Sequence, residues 1–219
     1  MNKRQTHERL RRRADLDKGL LDRGWHSGSY RRHFEGYTEY EDTNENGKTV
    51  IRRVYVGDYY RQNLPRSKRI VLRLTYIALW LLTAVVFFFC ASREIGANMT
   101  WYVAAAQFAV LVGLGWMLLA LFGYLTAPRD MTIGDWKSTS RSLRRGSIVA
   151  ALAVELTALL TLLHLLIYGE NWGLHLLCVL GYVLSGGMAV VTNRLEANAP
   201  YLVFPSTEEA PEDGTNIDV

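Results

Sequence analysis

The chain has 219 residues, a formal net charge of +4 and a sequence pI near 9.1, whereas its mean hydropathy is close to zero at +0.01. That average conceals a basic, polar first third and an acidic tail on either side of an apolar middle. A basic balance by itself is compatible with nucleic-acid binding, but here the positive residues flank apolar segments. At such positions they favour the cytoplasmic side and anionic lipid headgroups, so we expect a membrane protein with no nucleic-acid partner.

Residues 1–73 form a basic N-terminal region that contains eighteen of the 25 Lys and Arg residues. An apolar signal segment is absent from the first 69 residues, so we expect no cleavable signal peptide and the first apolar segment is the expected insertion signal. Over residues 10–25, four apolar side chains share one face of a helical wheel, which is typical of a short helix on the inner membrane surface. A disordered, solvated arm fits the same composition.

Within this region, residues 34–60 are rich in Tyr, Val, Ile and Thr around Asn46-Gly47. This dipeptide favours a two-residue type I′ turn, so the pattern predicts a β-hairpin. Folding about that turn places Glu41 opposite Arg52, which brings opposite charges together across the strands. An isolated hairpin is marginally stable in water, so this one either caps its own helical bundle or docks on a protein partner.

Residues 74–193 contain four long apolar stretches in which only one side chain, Glu155, is ionised in water. Each stretch is long enough to cross a bilayer core, which takes about 20 helical residues, and every backbone polar group must be satisfied inside it. The predicted fold class is an all-α membrane protein with four transmembrane helices and a hairpin outside the membrane. The four segments are Leu74 to Ser92, Trp101 to Ala127, Ile148 to Tyr168 and Trp172 to Asn193.

The remaining Lys and Arg residues predict the orientation of these helices. Five lie in the loop of residues 128–147 and one, Arg194, follows the fourth segment, whereas Arg93 lies in the first outer loop. Positive residues near membrane helices are retained in the cytoplasm. We therefore expect both termini and the middle loop on the cytoplasmic side of a plasma or cell membrane. Trp101 and Trp172 then fall at the outer boundary, where aromatic rings are favoured.

The middle loop and the C-terminal tail carry weaker signals. Asp135 precedes Trp136 and is a candidate N-cap for a short interfacial helix. Residues 194–219 form an acidic tail that passes Pro200 and Pro205, and we expect its acidic end to be disordered in the cytoplasm.

Glu155 is the sharpest chemical signal, because an ionised carboxylate at membrane depth is costly and usually faces a cavity or a partner. Counting at about 1.5 Å per helical residue places Ser185 and Gly186 of the fourth segment at its depth. One interpretation is a proton or cation pathway that has Gln107 as a second polar station. The other is a protonated Glu155 that donates a hydrogen bond between helices. The candidate intramembrane polar site thus contains Glu155, Gln107 and Ser185.

Two histidines and two cysteines form a second candidate site near the outer surface. Residues 169–171 join the third and fourth segments, so His164 and His175 should lie at similar depth, and Cys90 and Cys178 fall near that level. Imidazoles and thiolates are competent zinc or soft-metal ligands, but no CxxC or HExxH motif supports a metal. Hydrogen bonds between helices and inert thiols are the plainer interpretation, and a disulfide on an oxidising outer face is a further alternative.

Small side chains recur at every fourth position on the second and fourth segments, which predicts close helix packing within one chain or between chains. These residues are Ala105, Ala109 and Gly113, and Gly181, Ser185 and Ala189. Asn98-Met99-Thr100 matches a glycosylation sequon, although its place beside the membrane gives the match little weight.

The sequence shows no nucleotide-binding loop, nucleophile motif or large extramembrane domain, so we predict a non-enzymatic protein without a cofactor. The predicted function is an accessory or scaffold component of a membrane complex, with lipid headgroups at the cytoplasmic face and a protein partner at the hairpin. One alternative is a small transporter or ion-conducting oligomer that uses Glu155. Another is a metal or redox membrane protein that uses the outer His and Cys side chains.

Overall fold

The computed structural model describes residues 35–43, 49–169 and 171–206. These residues divide into two compact units. The helical unit comprises Arg66–Ala127 and Ser138–Ala199. The strand unit comprises the described parts of residues 1–65, 128–137 and 200–219, so three segments that are far apart in the sequence fold together.

Four long helices make up the helical unit, and shorter elements lie between them. The long helices are α1 (Arg66–Ala91), α2 (Trp101–Thr126), α4 (Ser142–Tyr168) and α5 (Trp172–Ala197). A 3₁₀ turn, Gly96–Met99, lies between α1 and α2. A short helix, α3 (Ile133–Trp136), and a π-helical turn, Lys137–Arg141, precede α4.

All four long helices are apolar and long enough to cross a membrane, which confirms the predicted number of spans and supports an integral membrane protein. Their ends differ from the prediction. Helix α1 begins at Arg66 rather than at Leu74, and α5 continues to Ala197 rather than ending at Asn193. Hydropathy marks the part of a helix that lies in hydrocarbon, whereas a helix continues into the polar interface wherever its backbone bonds remain favourable.

Helix α4 packs against both α2 and α5, and α1 packs mainly against α5. Two glycines bring α2 and α4 together. A Cβ on Gly113 would lie 2.8 Å from the Cα of Ala150, and one on Gly146 would lie 3.1 Å from the backbone nitrogen of Met117. Small residues let helix backbones approach closely in lipid and so increase their van der Waals contact. A larger side chain at Gly113 would force these helices apart.

The predicted small-residue stripe on α2 needs correction. Gly113 is buried, but Ala105 and Ala109 are exposed. A stripe at every fourth position drifts by about 40° per step around the helix, and on α2 the packed face includes Gly113 but not the two earlier positions. The buried face instead alternates steps of three and four residues, along Val103, Ala106, Val110, Gly113 and Met117.

The corresponding stripe on α5 is buried within the chain. The hydroxyl of Ser185 donates a 2.9 Å hydrogen bond to the carbonyl oxygen of Thr83 on α1. A Cβ on Gly181 would overlap the sulfur of Cys90, so this glycine leaves room for the thiol. Ala189 is fully buried in a small cluster with two alanines of α4. These three residues therefore pack within one chain.

In the strand unit, β1 (Tyr37–Thr43) pairs antiparallel with β2 (Thr49–Tyr55), as the hairpin prediction requires. The predicted register is wrong by one residue, because Tyr40 and not Glu41 lies opposite Arg52. The predicted turn residues, Asn46 and Gly47, lie outside the described residues.

The end of the hairpin explains its register. Tyr55 closes β2 opposite Tyr37, and their ring centroids are 5.1 Å apart in an edge-to-face contact. The buried Tyr55 hydroxyl donates to the carbonyl oxygen of Asp58 at 2.6 Å and accepts from the backbone nitrogen of Ile133 at 3.0 Å. The carbonyl oxygen of Gly36 also accepts from the two backbone nitrogens that follow Tyr55, at 2.9 and 3.0 Å, and these bonds close the open end of the hairpin in the observed register.

A second two-stranded sheet pairs β3 (Asp58–Gln62) with β4 (Tyr201–Pro205) in antiparallel orientation. Strand β4 lies in the first part of the predicted acidic tail, before its acidic end, and the sequence did not predict a strand there. It consists of only five residues, and its partner strand lies at the other end of the chain. So short a segment gives no clear period-two signal without its partner.

The middle loop joins this sheet through Met131, which exchanges two backbone hydrogen bonds with Tyr60 at 2.8 and 3.0 Å. Helix α3 then begins with a capping box. Thr132 is the N-cap, its hydroxyl accepts from the backbone nitrogen of Asp135, and the Asp135 carboxylate accepts from that of Thr132. The prediction that Asp135 is the N-cap is therefore wrong by three residues, because Asp135 is the reciprocal partner of the cap.

Candidate functional sites

Glu155 lies midway along α4, equally far from Ser142 and Tyr168. Its side chain is exposed on the surface of the helical unit, and its Oε1 atom lies against the bare backbone of Gly186 on α5, where a Cβ would overlap it. The contact agrees with the depth obtained by counting residues. The predicted hydrogen bond between helices is not found, because Glu155 has no hydrogen-bond or ion-pair partner among the described residues.

Gln107 belongs to a different polar cluster. Its amide nitrogen donates to Oδ1 of Asn98 at 2.9 Å and to the hydroxyl of Tyr182 at 3.1 Å. These bonds join α2 to α5 and to the 3₁₀ turn. Together with the bond from Ser185 to Thr83, they show that the three residues of the predicted polar site have different partners. No hydrogen bond joins any two of Glu155, Gln107 and Ser185 in the described structure.

Asn98 is a residue whose role the sequence does not reveal. Its Nδ2 atom donates to the carbonyl oxygens of Cys90, Ala91 and Arg93 at 2.8–3.2 Å. These carbonyls belong to the C-terminal end of α1, where the last turn of any helix leaves unpaired acceptors. Asn98 therefore serves as a side-chain cap for α1, and this use of Nδ2 argues against the sequon as a glycosylation site.

His164 and His175 lie close together, at the similar depth that the short connection between α4 and α5 predicts. Their ring centroids are 6.0 Å apart and their planes differ by 13°. His164 Nδ1 lies 2.8 Å from the hydroxyl of Tyr102, and His175 Nδ1 donates to the carbonyl oxygen of Asn171 at 3.2 Å. Both rings are buried, so the pair joins α2, α4 and α5 at one end of the helical unit.

Cys90 and Cys178 form a separate pair between α1 and α5. Both thiols are free and buried, and the sulfur of Cys178 lies 3.8 Å from the carbonyl oxygen of Cys90. The disulfide alternative is not the state seen here. Nowhere in residues 35–43, 49–169 and 171–206 do three or more His, Cys, Asp or Glu side chains form a group that could hold a metal ion. The predicted four-ligand site thus separates into two pairs.

A buried carboxyl group at the end of α5 escaped the sequence analysis. Glu196 is 2% exposed, and its Oε2 atom accepts a 2.7 Å hydrogen bond from the hydroxyl of Tyr76 on α1. Tyr76 also makes an edge-to-face contact with Tyr124 on α2, with ring centroids 5.4 Å apart. The sequence gives a weak hint, because Glu196 follows the apolar segment and looks like part of the acidic tail.

The strand unit is held by an ion pair and an aromatic cluster. The guanidinium of Arg61 donates to both carboxylate oxygens of Asp130, at 2.5 and 2.7 Å, and its side chain is only 6% exposed. The rings of Tyr60 and Trp136 stack with centroids 5.0 Å apart. These contacts connect β3 to the middle loop. Burial raises the pKa of Tyr55 above its usual value, and the hydrogen bond from the backbone of Ile133 only partly offsets this effect.

Comparison with known proteins does not place this chain in a family. No family model matches it, and no curated protein or solved structure matches it either. The class of the protein therefore rests on its own fold, which is mostly helical with four helices able to span a membrane and small antiparallel sheets. A particular function has to be argued from the contacts described above.

Proposed function

We propose that this protein is a non-enzymatic accessory or scaffold component of a complex in the plasma or cell membrane. Both termini and the strand unit then lie on the cytoplasmic side of that membrane. The observation that carries the proposal is the assembly of the strand unit from three segments of the chain. They precede α1, lie between α2 and α4, and follow α5. The three segments thus form one compact unit instead of three separate loops, and such a unit can present a single surface to a partner.

The contacts among these segments support the proposed topology. Strand β3 bonds to β4 and to Met131 in the middle loop. Each spanning helix carries the chain to the other side of the membrane, so a four-span protein has its first, middle and last segments on one side. Since most Lys and Arg residues belong to these segments, the positive-inside rule favours the cytoplasm for that side.

The shape of the strand unit supports a docking role. Both of its sheets have two strands, and β1, β2 and β4 each have one edge without a neighbouring strand in the part of the chain described. An unpaired edge presents backbone donors and acceptors to which a partner can add a strand.

In the helical unit, Gln107, Ser185 and Tyr76 bond to partners within the chain, as expected of side chains that hold helices together.

Gly36 offers a sharp test of the docking role. Its φ is +84°, and a Cβ there would lie 2.6 Å from the ring of Tyr55, so Gly36→Val should distort the hairpin. The matched control is Gly134→Ala in the same unit, where a Cβ would be 3.7 Å from its nearest neighbour. Purification in mild detergent should recover a partner with the wild type and the control, and not with Gly36→Val.

The helical unit must remain intact for this test, so its thermal stability is measured for each variant. Equal recovery of the partner with Gly36→Val would contradict docking through the hairpin. Failure of the wild-type protein to recover any partner, from cross-linked native membranes as well as in detergent, would contradict the accessory function itself.

An ion-conducting oligomer is the second candidate, and the exposed Glu155 carboxyl without a partner is the observation that favours it. The accessory function predicts that purified protein in vesicles conducts neither protons nor Na⁺ above the leak of empty vesicles. A flux that is abolished in Glu155→Gln, while the variant keeps its size and stability, would replace the accessory function with transport.

A further inference from the structure

Glu155 lies at the seam where α4 meets α5 and faces outwards. On α4, the neighbouring positions Val154 and Ala158 are buried, whereas Leu152, Leu156 and Leu159 are exposed. The carboxyl group is therefore at the boundary between the packed face of the helix and its outer, leucine-rich face. An outward face of this composition is where lipid chains or another helix would lie.

On the α5 side of the seam, two consecutive residues are glycines and have no side chains. Gly186 has no side chain to cover the Glu155 carboxyl, and a Cβ on the next residue, Gly187, would meet no atom within 4 Å. Val183 and Val190 are exposed on the same side of α5. At about 100° per residue, both lie between Gly186 and Gly187 on the helical wheel. The seam thus forms a shallow apolar groove that has one carboxyl group at its edge, and we call it the Glu155 groove.

A second copy of this chain lacks the complementary charge. Lys and Arg are absent from all four apolar segments, so no copy can present a cation at the depth of Glu155. Ionisable groups at membrane depth are costly and pair with one another or with other polar groups. A Lys or Arg that pairs with Glu155 at this depth would therefore come from a different molecule.

We propose that the Glu155 groove binds a transmembrane helix of a different protein, and that a Lys or Arg near the middle of that helix pairs with the Glu155 carboxylate. The inference rests on the proposed accessory function, since it names the chemistry of a partner. Gly187, which is exposed and has open space around it, lets the partner helix approach closely, and the flanking Leu and Val side chains pack against it. The basic side chain satisfies the carboxylate, which has no partner among the residues that the structure describes.

The test uses the full-length protein in phosphatidylcholine vesicles and a synthetic helix of Leu and Ala, about 20 residues long, with one central Lys. Energy transfer between labelled protein and labelled peptide measures binding. The same peptide with a central Leu is the reference. We expect the Lys peptide to bind roughly tenfold more tightly than the Leu peptide, and Glu155→Gln and Glu155→Leu to abolish the difference.

Two glycine variants separate docking in the groove from a general effect of charge. Gly187→Leu fills the groove without a clash and should reduce binding of the Lys peptide severalfold. Gly115→Leu on α2 is the matched control, because a Cβ there also meets no atom within 4 Å, and it should leave binding unchanged. Both variants are checked for wild-type thermal stability, so that loss of binding is not loss of folding.

Equal binding of the Lys and Leu peptides to the wild type would overturn the inference. Energy transfer between two labelled copies of the protein that depends on Glu155 would also overturn it, in favour of self-association. Neither result depends on the hairpin. The Gly36→Val comparison tests the accessory function independently of the Glu155 groove.

Discussion

The hydroxyl of Tyr76 donates a 2.7 Å hydrogen bond to Glu196 and so joins the first and the last of the long helices. Both side chains are buried, at 0% and 2% exposure. A hydrogen bond to a charged group contributes about 1.5–3 kcal/mol, so this bond is one of the contacts that compensate for the burial of the Glu196 carboxyl. It connects residues that are 120 positions apart and thereby helps to close the bundle.

Replacement of Tyr76 by Phe removes the donor and keeps the ring. We expect the free energy of unfolding to fall by about 1–3 kcal/mol, measured by denaturant titration in mixed micelles. Tyr168→Phe is the control, because that side chain is exposed and its hydroxyl has no partner among the described residues. A loss no larger than in the control would show that the bond contributes little.

The Arg61–Asp130 pair should hold the middle loop on the strand unit. The guanidinium is buried, whereas the Asp130 side chain is 37% exposed. Asp130→Ala removes both bonds of a bidentate pair, so we expect a loss of about 1–3 kcal/mol, discounted from a fully buried pair because water reaches the carboxylate. Faster amide exchange over residues 128–137 should report the loosened loop.

The control for this pair is Lys137, whose ammonium lies 2.6 Å from Glu35. Both of those side chains are partly exposed, at 35% and 40%, and such pairs contribute about 0–1 kcal/mol. Lys137→Ala should therefore change amide exchange in the loop much less than Asp130→Ala. Equal effects would mean that the bidentate geometry of Arg61 has no special role.

Tyr55 should make the strand unit sensitive to alkali. Its pKa is raised in the folded protein by burial, so the folded state holds the phenolic proton more tightly than the unfolded state does. Stability from this difference is fully present below the unfolded pKa of about 10 and is lost as pH rises through the folded pKa. Tyr55→Phe should be less stable at neutral pH and should lose less of its stability between about pH 9 and pH 12, monitored by near-UV circular dichroism.

Tyr59 provides an internal comparison, because burial also raises its pKa. Tyr59→Phe should therefore keep the part of the alkaline loss that Tyr55 causes. An identical pH profile for wild type and Tyr55→Phe would rule out Tyr55 as its origin.

The two ends of α1 offer a direct test of orientation. Ser67 and Ser92 are both exposed, and the native thiols Cys90 and Cys178 are buried and should give little background. We expect Ser92→Cys to react with an impermeant maleimide added to intact cells, and Ser67→Cys to react only after permeabilisation. The reverse pattern would place the strand unit outside the cell.

Local pattern in the sequence was enough to predict the four spans, because hydropathy and length are properties of each segment by itself. It was also enough to place Gly186 at the depth of Glu155, where the structure brings the two residues into contact, since antiparallel helices of constant rise can be aligned by counting. The similar depth of His164 and His175 follows in the same way from the short connection between their helices, whereas the stacking of their rings is seen only in the structure.

Other features depended on distant residues. The hairpin is closed in its observed register by backbone bonds to the carbonyl oxygen of Gly36, and β4 pairs with β3, which is far away in the sequence. The sequence suggested that Gln107 is a second polar residue of an ion pathway, whereas in the structure its amide donates hydrogen bonds to Asn98 and Tyr182.

The sequence by itself determined which segments enter the membrane, since transfer from water to hydrocarbon depends on the composition of each segment. Only the tertiary structure decided which polar groups are satisfied, because a hydrogen bond depends on a partner whose position is set by the packing of other helices. Gln107 and Glu196 found partners within the chain, whereas Glu155 remained exposed beside Gly186. The difference lies in helix rotation, because Glu155 lies at the outer edge of its interface, where no described residue donates a hydrogen bond to it.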